Sequence, residues 1–165
     1  MLIILLAIVV FAVCADQLTK ALIYGHDQAF IEGFIRFTTV QNRGVAWGFL
    51  QNTNGAMIII TIFTVVVIGL MVFLILKYKK VIPYAVSVPL ACVIGGAIGN
   101  LIDRVFIGYV RDFICTEFIS FPVFNVADCF VTCGGIALAF VVLFTKSGKE
   151  FISKVFPEEK GKKHD

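Results

Sequence analysis

The chain has 165 residues, 59% of them hydrophobic and only 15% charged, with a formal net charge of +3 and a mean hydropathy of +0.97. A soluble domain averages nearer half apolar and a quarter charged. The excess stands in long uncharged runs, which excludes an ordinary soluble domain, and so small a positive charge calls for no nucleic acid. The length suits one membrane domain.

Four candidate spans follow one another. The first opens with MLIILLAIVVFAVCA, Met1 to Ala15, and continues past Asp16 toward Tyr24. The second, Ala56 to Leu76, carries no charge, and the third, about 82–99, carries Pro83 and Pro89 and a glycine-rich end. The fourth, about 126–145, has Asp128 in its first turn. The second and fourth are close to the ~20 residues that cross ~30 Å of hydrocarbon. Between the first two spans, residues about 31–50 alternate partly and surround a turn at Asn42-Arg43-Gly44. They are expected to form short strands lying on the bilayer surface, with Trp47 at the interface. The expected fold class is an all-α membrane protein, four transmembrane helices with a small extracytoplasmic β-cradle and an outer loop.

The basic residues orient the bundle. The loop between spans two and three reads KYKK, and the tail 146–165 adds six lysines. The positive-inside bias therefore places this loop and both termini in the cytoplasm. Asp16, Asp27, Glu32, Asp103, Asp112, Glu117 and Asp128 then all fall on the outer side. An ionised carboxylate beside hydrocarbon is costly unless paired or solvated, which marks these acids for function.

Two features invite other readings. VCA before Asp16 loosely fits a signal-peptide cleavage rule, but no Lys/Arg region precedes it, and a retained first helix is expected. Of the five cysteines, Cys14, Cys92, Cys129 and Cys133 lie in spans, where cysteine packs as a small apolar residue. No histidine is placed to complete a metal set with Cys129 and Cys133, so no metal and no cofactor are expected. The end of the tail, FPEEKGKKHD, reads as solvated.

The polar constellations each carry a structural reading. DQLTK puts Asp16 and Lys20 four apart, an ion pair at the membrane edge. ACVIGGAIGN spaces Ala91, Gly95 and Gly99 for close helix packing, with Gly99-Asn100 able to cap the third span. Asp103 beside Arg104 reads as a structural ion pair, and Asn125 three residues before Asp128 as a capping box. Asn42 is a candidate amide for holding a substrate backbone. Asp112 has no such account: Arg111 adjoins it, but neighbours on an extended segment point to opposite sides. If Asp112 approaches Asp128, the two carboxylates share a proton. The ionised one can then take a proton from water while the other polarises a peptide carbonyl, which is amide hydrolysis without a metal or covalent intermediate.

Together DQLTK, QNRGVAWG, GNLIDR, VRDF and FNVAD, in this order on four spans, resemble the lipoprotein signal peptidase (signal peptidase II) family of bacteria. The resemblance covers Met1 to Thr145. It implies an aspartic endopeptidase of the inner membrane that cuts diacylglyceryl-modified prolipoproteins just before the lipidated cysteine. It further implies Asp112 and Asp128 as the catalytic pair, with Asp16, Lys20, Asn42, Asn100, Asp103, Arg104 and Asn125 in support. The implied partners are these prolipoproteins, membrane lipids and globomycin-type inhibitors. The chain departs from the family pattern in opening directly on apolar sequence. It also departs in placing Arg111 where an apolar residue is usual. Facing the site, Arg111 would lower the pKa of Asp112.

The rival class is a small proton-coupled transporter or channel, and a blander one is a scaffold with capped helices. Transporters place their carboxylates near the midplane, whereas every candidate here lies at the outer end. A scaffold leaves the grouping of Asp112, Asn125 and Asp128 without a reason.

Overall fold

The computed structural model describes residues 1–44 and 55–157. Trp47, the last part of the expected 31–50 cradle and nearly all of FPEEKGKKHD lie outside the described residues. Four helices are long and apolar enough to cross a membrane: α1 (Leu2–Ile23), α2 (Ala56–Lys77), α3 (Tyr84–Phe106) and α4 (Val126–Phe144). A fifth, α5 (Lys146–Val155), follows α4 after Thr145. Three strands, β1 (Gln28–Ile31), β2 (Ile35–Asn42) and β3 (Val110–Thr116), form an antiparallel sheet in that order. The expected fold class is the one observed.

α3 is the central helix, packing against α1, α2 and α4. Its glycines make this possible. A Cβ on Gly95 would stand 2.6 Å from Ala12 Cβ of α1, and one on Gly96 would collide with the Ala127 carbonyl oxygen of α4. The adjacent pair thus serves two different neighbours, and small residues let the backbones approach without a hydrophobic drive. α2 turns most of its apolar surface outward, with Ile58, Ile59, Phe63 and Leu70 exposed, as lipid contact demands. α4 meets α3 through Gly134, whose Cβ would lie 3.0 Å from the Pro89 carbonyl oxygen. Proline at 89 costs α3 the amide bond it cannot donate, and the close partner helix encloses that turn.

Two sequence expectations are corrected. Gly99-Asn100 caps nothing, because α3 runs on to Phe106 and is capped at Ile107. The chain turns instead at Gly108, whose φ of 76° favours glycine. The sheet, expected from about residue 31, begins at Gln28, turns between β1 and β2 at Gly33, φ 72°, and takes its third strand from the loop after α3. The far side of the expected Asn42-Arg43-Gly44 turn lies outside the described residues. Beyond α4, residues 146–155 form the capped helix α5. Thr145 caps α5 by accepting the Gly148 N–H at 3.1 Å. Phe151 is buried with its ring edge-on to Tyr78, 5.8 Å between centroids.

The connections place the chemistry. The C-termini of α1 and α3 and the N-terminus of α4 all meet the sheet, so the polar residues near those termini converge. After β3 the chain loops and returns beside it. Phe124 pairs with Ile114, and Phe124 N–H donates to the Ile114 carbonyl at 3.1 Å. That return delivers Asn125 and α4 to the strand that carries Asp112.

The α3–α4 contact gives a paired test. Gly134→Leu should lower the thermal midpoint in detergent by about 3–10 °C, an overpacking cost of about 1–3 kcal/mol. Gly135→Leu, where nothing lies within 4 Å of a Cβ, should leave it nearly unchanged. Equal losses would contradict this packing.

Candidate active site

Beneath the sheet, Lys20 is wholly buried. An ammonium there must spend its three donors, and it does. Nζ lies 2.8 Å from Asp16 Oδ2 and 3.3 Å from Asp103 Oδ2, and donates to Asn100 Oδ1 at 3.0 Å. The expected Asp16–Lys20 pair forms, and it is buried within the protein. Asp16 Oδ1 in turn accepts the Ala127 N–H at 2.9 Å, one of the donors that a helix start leaves without a partner. One ion pair thus ties α1 to α3 and α4.

Asp103 does not take its sequence neighbour Arg104 as partner. Its oxygens face Lys20 and the Arg111 guanidinium, with Arg111 Nη2 at 2.8 Å from Oδ1. Arg104 instead lines the cavity described below.

The three asparagines are fixed in orientation by what they must face. Asn100 presents Oδ1 to Lys20, which can only donate, so its amide N–H donates to Asp128 Oδ1 at 2.8 Å. Asn125 forms the expected capping box. Its Oδ1 accepts the Asp128 N–H at 3.0 Å, and its own N–H donates to Asp128 Oδ2 at 3.1 Å. Its amide N–H is then left to donate to Asp112 Oδ1 at 2.6 Å and to Asn100 Oδ1 at 3.0 Å. One residue therefore touches both carboxylates.

Asp112 reaches this point through the sheet register. It sits opposite Val40, and Asn42 lies two residues along the same face of β2. Asn42 Nδ2 accordingly donates to Asp112 Oδ2 at 2.9 Å. Arg111, opposite Gln41, points to the other face. It does not face the carboxylate pair, which corrects the expectation for a cation placed beside Asp112. The Asp112 side chain is 1% exposed. Burial and the neighbouring Asp128 charge push its pKa up to about 7, against the pull of the Asn42 and Asn125 hydrogen bonds. A carboxyl that stays protonated near neutrality can donate a hydrogen bond while its partner accepts one.

Both carboxylates open onto a cavity of about 620 Å³, walled by Asn42, Asn100, Arg104, Val110 and Phe124 among others. Its lining is mainly apolar, with the polar groups converging at the Asp112 end, the usual composition of a substrate site. The structure thus brings together Asp16, Lys20, Asn42, Asn100, Asp103, Asp112, Asn125 and Asp128, with Arg104 on the wall. No cluster fit to hold a metal ion occurs among the described residues. Sequence reasoning missed Gln17. Its amide N–H donates to Asp16 Oδ2 and to the Gly99 carbonyl, each at 3.0 Å, and its Oε1 accepts from Arg111 Nη2 at 2.9 Å. Its position inside DQLTK, one residue from a buried carboxylate, was the available signal.

Comparisons with known proteins point to one family. The family pattern described as "Signal peptidase (SPase) II" matches residues 8–144. The lipoprotein signal peptidase of Enterococcus faecalis is 44% identical over 128 residues, covering 76% of each chain. That of Caldanaerobacter subterraneus subsp. tengcongensis is 42% identical over 146 residues, 84% of this chain and 95% of that one. A bacterial membrane enzyme solved by the in meso method at 2.3 Å resolution superposes with a TM-score of 0.71 at 30% identity. The match covers 96% of this chain and 93% of that one. A second, at 1.9 Å resolution, gives 0.74 at 32% identity over 85% of this chain and 92% of its own. With the family pattern spanning all four membrane helices and both cavity carboxylates, the chain belongs to the signal peptidase II family of membrane aspartic peptidases.

Proposed function

We propose that this chain removes signal peptides from diacylglyceryl-modified prolipoproteins by cutting before the lipidated cysteine, with Asp112 and Asp128 as the catalytic pair. The observation that carries the assignment is the single asparagine, Asn125, hydrogen-bonded to both carboxylates at the head of an apolar cavity. Asp112 holds the proton and donates to the scissile carbonyl oxygen. Asp128 accepts a proton from the attacking water, whose oxygen bonds to the carbonyl carbon. Collapse of the tetrahedral intermediate breaks the C–N bond. The proton on Asp128 passes to the leaving amine of the cysteine, and a hydroxyl proton of the intermediate returns to Asp112. Asn42, Asn100 and Asn125 hold the carboxylates in place. Asp16, Lys20 and Asp103 lock the helices beneath them, and Arg104 stands on the cavity wall as a counter-charge to the single negative charge of the pair.

On this reading, residues 1–145 are the membrane-embedded peptidase domain and 146–165 a basic cytoplasmic tail that includes α5. The enzyme sits in the cytoplasmic (inner) membrane with both termini inside, as the KYKK loop and the tail lysines favour. Membrane lipids bathe the exposed faces, and the tail lysines suit anionic headgroups. Globomycin-type inhibitors would compete for the cavity. A proton-coupled transporter gains nothing from the site, since its carboxylates lie at the end of the bundle nearest the sheet.

Two outcomes test the assignment. With purified protein and a diacylglyceryl prolipoprotein, Asp112→Asn and Asp128→Asn should each cut kcat by roughly 10²–10⁴-fold without loss of folding. Asp103→Asn should lower the thermal midpoint and leave the folded fraction with reduced but measurable activity, well above that of the other two variants. Full activity in either of the first two variants would dismiss the pair. In addition, Asp112 keeps its proton below about pH 7 and loses it above. The doubly ionised pair has no donor for the carbonyl, so kcat should decline as pH rises through about 7. A pH–rate profile flat from 6 to about 9 would contradict that role for Asp112.

A further inference from the structure

Arg111 makes more contacts than a surface cation needs. Nη2 donates to Asp103 Oδ1 at 2.8 Å and to Gln17 Oε1 at 2.9 Å. Nε donates to Asp103 Oδ2 at 3.2 Å, and the Arg111 backbone N–H reaches the same oxygen at 2.9 Å. Main chain and side chain of one residue therefore grip a single carboxylate on α3, while Gln17 extends the grip to α1. A lone backbone bond would hold β3 near α3 but leave it free to roll about its own axis. The planar guanidinium fork fixes that roll, and the next residue along the strand is Asp112.

The charges point the same way. Around Arg111 stand Asp103 on α3, Asp16 and Lys20 on α1, Tyr24 at the end of α1, and Tyr109 two residues before it on the chain. Around Asp112 stand Asp128 on α4, Arg104 on α3 and Lys20 on α1, with the amides of Asn42 and Asn125. Asp16, Asp103, Asp112 and Asp128 are matched by Lys20, Arg104 and Arg111, and one proton shared by Asp112 and Asp128 makes the set neutral. Without Arg111, Lys20 alone would answer Asp16 and Asp103, and a net negative charge would sit beneath the pair.

We propose that Arg111, seated on Asp103 and Gln17, is a positioning residue for Asp112 that sets the roll of β3 and supplies the charge balance under the catalytic pair. It rests on the peptidase reading above for its effect on turnover, though not for its effect on Asp112 itself. Arg111 touches neither carboxylate of the pair, so its charge reaches Asp112 only through space, by way of Asp103 and Lys20. On this proposal its removal makes Asp112 harder to ionise and moves the titration to higher pH. Removing only the fork leaves the charge and loosens the strand.

The test uses the full chain purified in detergent, a dipalmitoylglyceryl prolipoprotein as substrate, and infrared titration of the protonated carboxyl band that Asp112→Asn abolishes. Arg111→Met should lower kcat about 10-fold or more with KM within about twofold, the signature of a misplaced catalytic group. It should also move the Asp112 midpoint and the alkaline limb of the pH–rate profile upward by about half a unit or more. Arg111→Lys should restore the midpoint while recovering only part of kcat. Gln17→Met should lower kcat with the midpoint unmoved. Should Arg111→Met not fold, Arg111→Gln, which keeps donors without charge, carries the same midpoint expectation. An unmoved midpoint in the uncharged variant overturns the proposal, as does a loss of kcat that only tracks the loss of folded protein. Failure of the unmodified protein to cleave would sink the peptidase reading, whereas the infrared midpoint, which needs no substrate, still decides the role of Arg111.

Discussion

A buried ammonium governs the end of the bundle nearest the sheet. Lys20 has no route to water, so every polar group around it is constrained by the need to satisfy its three donors. Removing one partner from such a cluster costs about 3–5 kcal/mol, because an uncompensated charge remains. The contacts it makes run through Asp16 to α4, through Asp103 to α3 and β3, and through Asn100 to Asp128. The carboxylate pair is thus the far end of a hydrogen-bonded relay that starts at a cation in α1. Its geometry is determined before any substrate arrives, which is what preorganised acid–base catalysis requires.

The apolar frame permits this arrangement. Gly95 and Gly96 bring three backbones close enough for short side chains to reach one another across helix boundaries. A carboxylate such as Asp16, with only one methylene of reach, can then meet the first turn of α4. α2 stands aside, giving its surface to lipid.

Much of this was legible in the chain. The spans follow from uncharged runs, and the capping box at Asn125 from the Asn-to-Asp interval. The suspicion about Asp112 came from its lack of a local partner. What sequence could not supply was the partner choice of ions lying far apart along the chain. Asp103 neighbours Arg104, yet pairs with Lys20 and Arg111, because the last turn of α3 directs Asp103 inward at α1 and Arg104 toward the cavity. β3 was hidden for a similar reason. With Val110, Asp112 and Phe113 all buried, VRDFICT shows no clean alternation and looks like a loop. The helix at 146–155 went unread because its lysines served only as a topology signal, although Phe151 anchors it.

The Ala127–Asp16 bond joins residues 111 positions apart, and this has a bearing on biogenesis. Asp16, Lys20, Asn100 and Asp103 are made first, and Asp112 follows them. Asn125 and Asp128 come only with the last span, so the residue whose backbone and side-chain N–H groups hold the two carboxylates is among the last parts to reach the site. A chain still being threaded into the bilayer therefore holds its ions without a working pair. The pair is assembled only when α4 slots against α3, so on the proposed mechanism a half-threaded chain has no cleaving site.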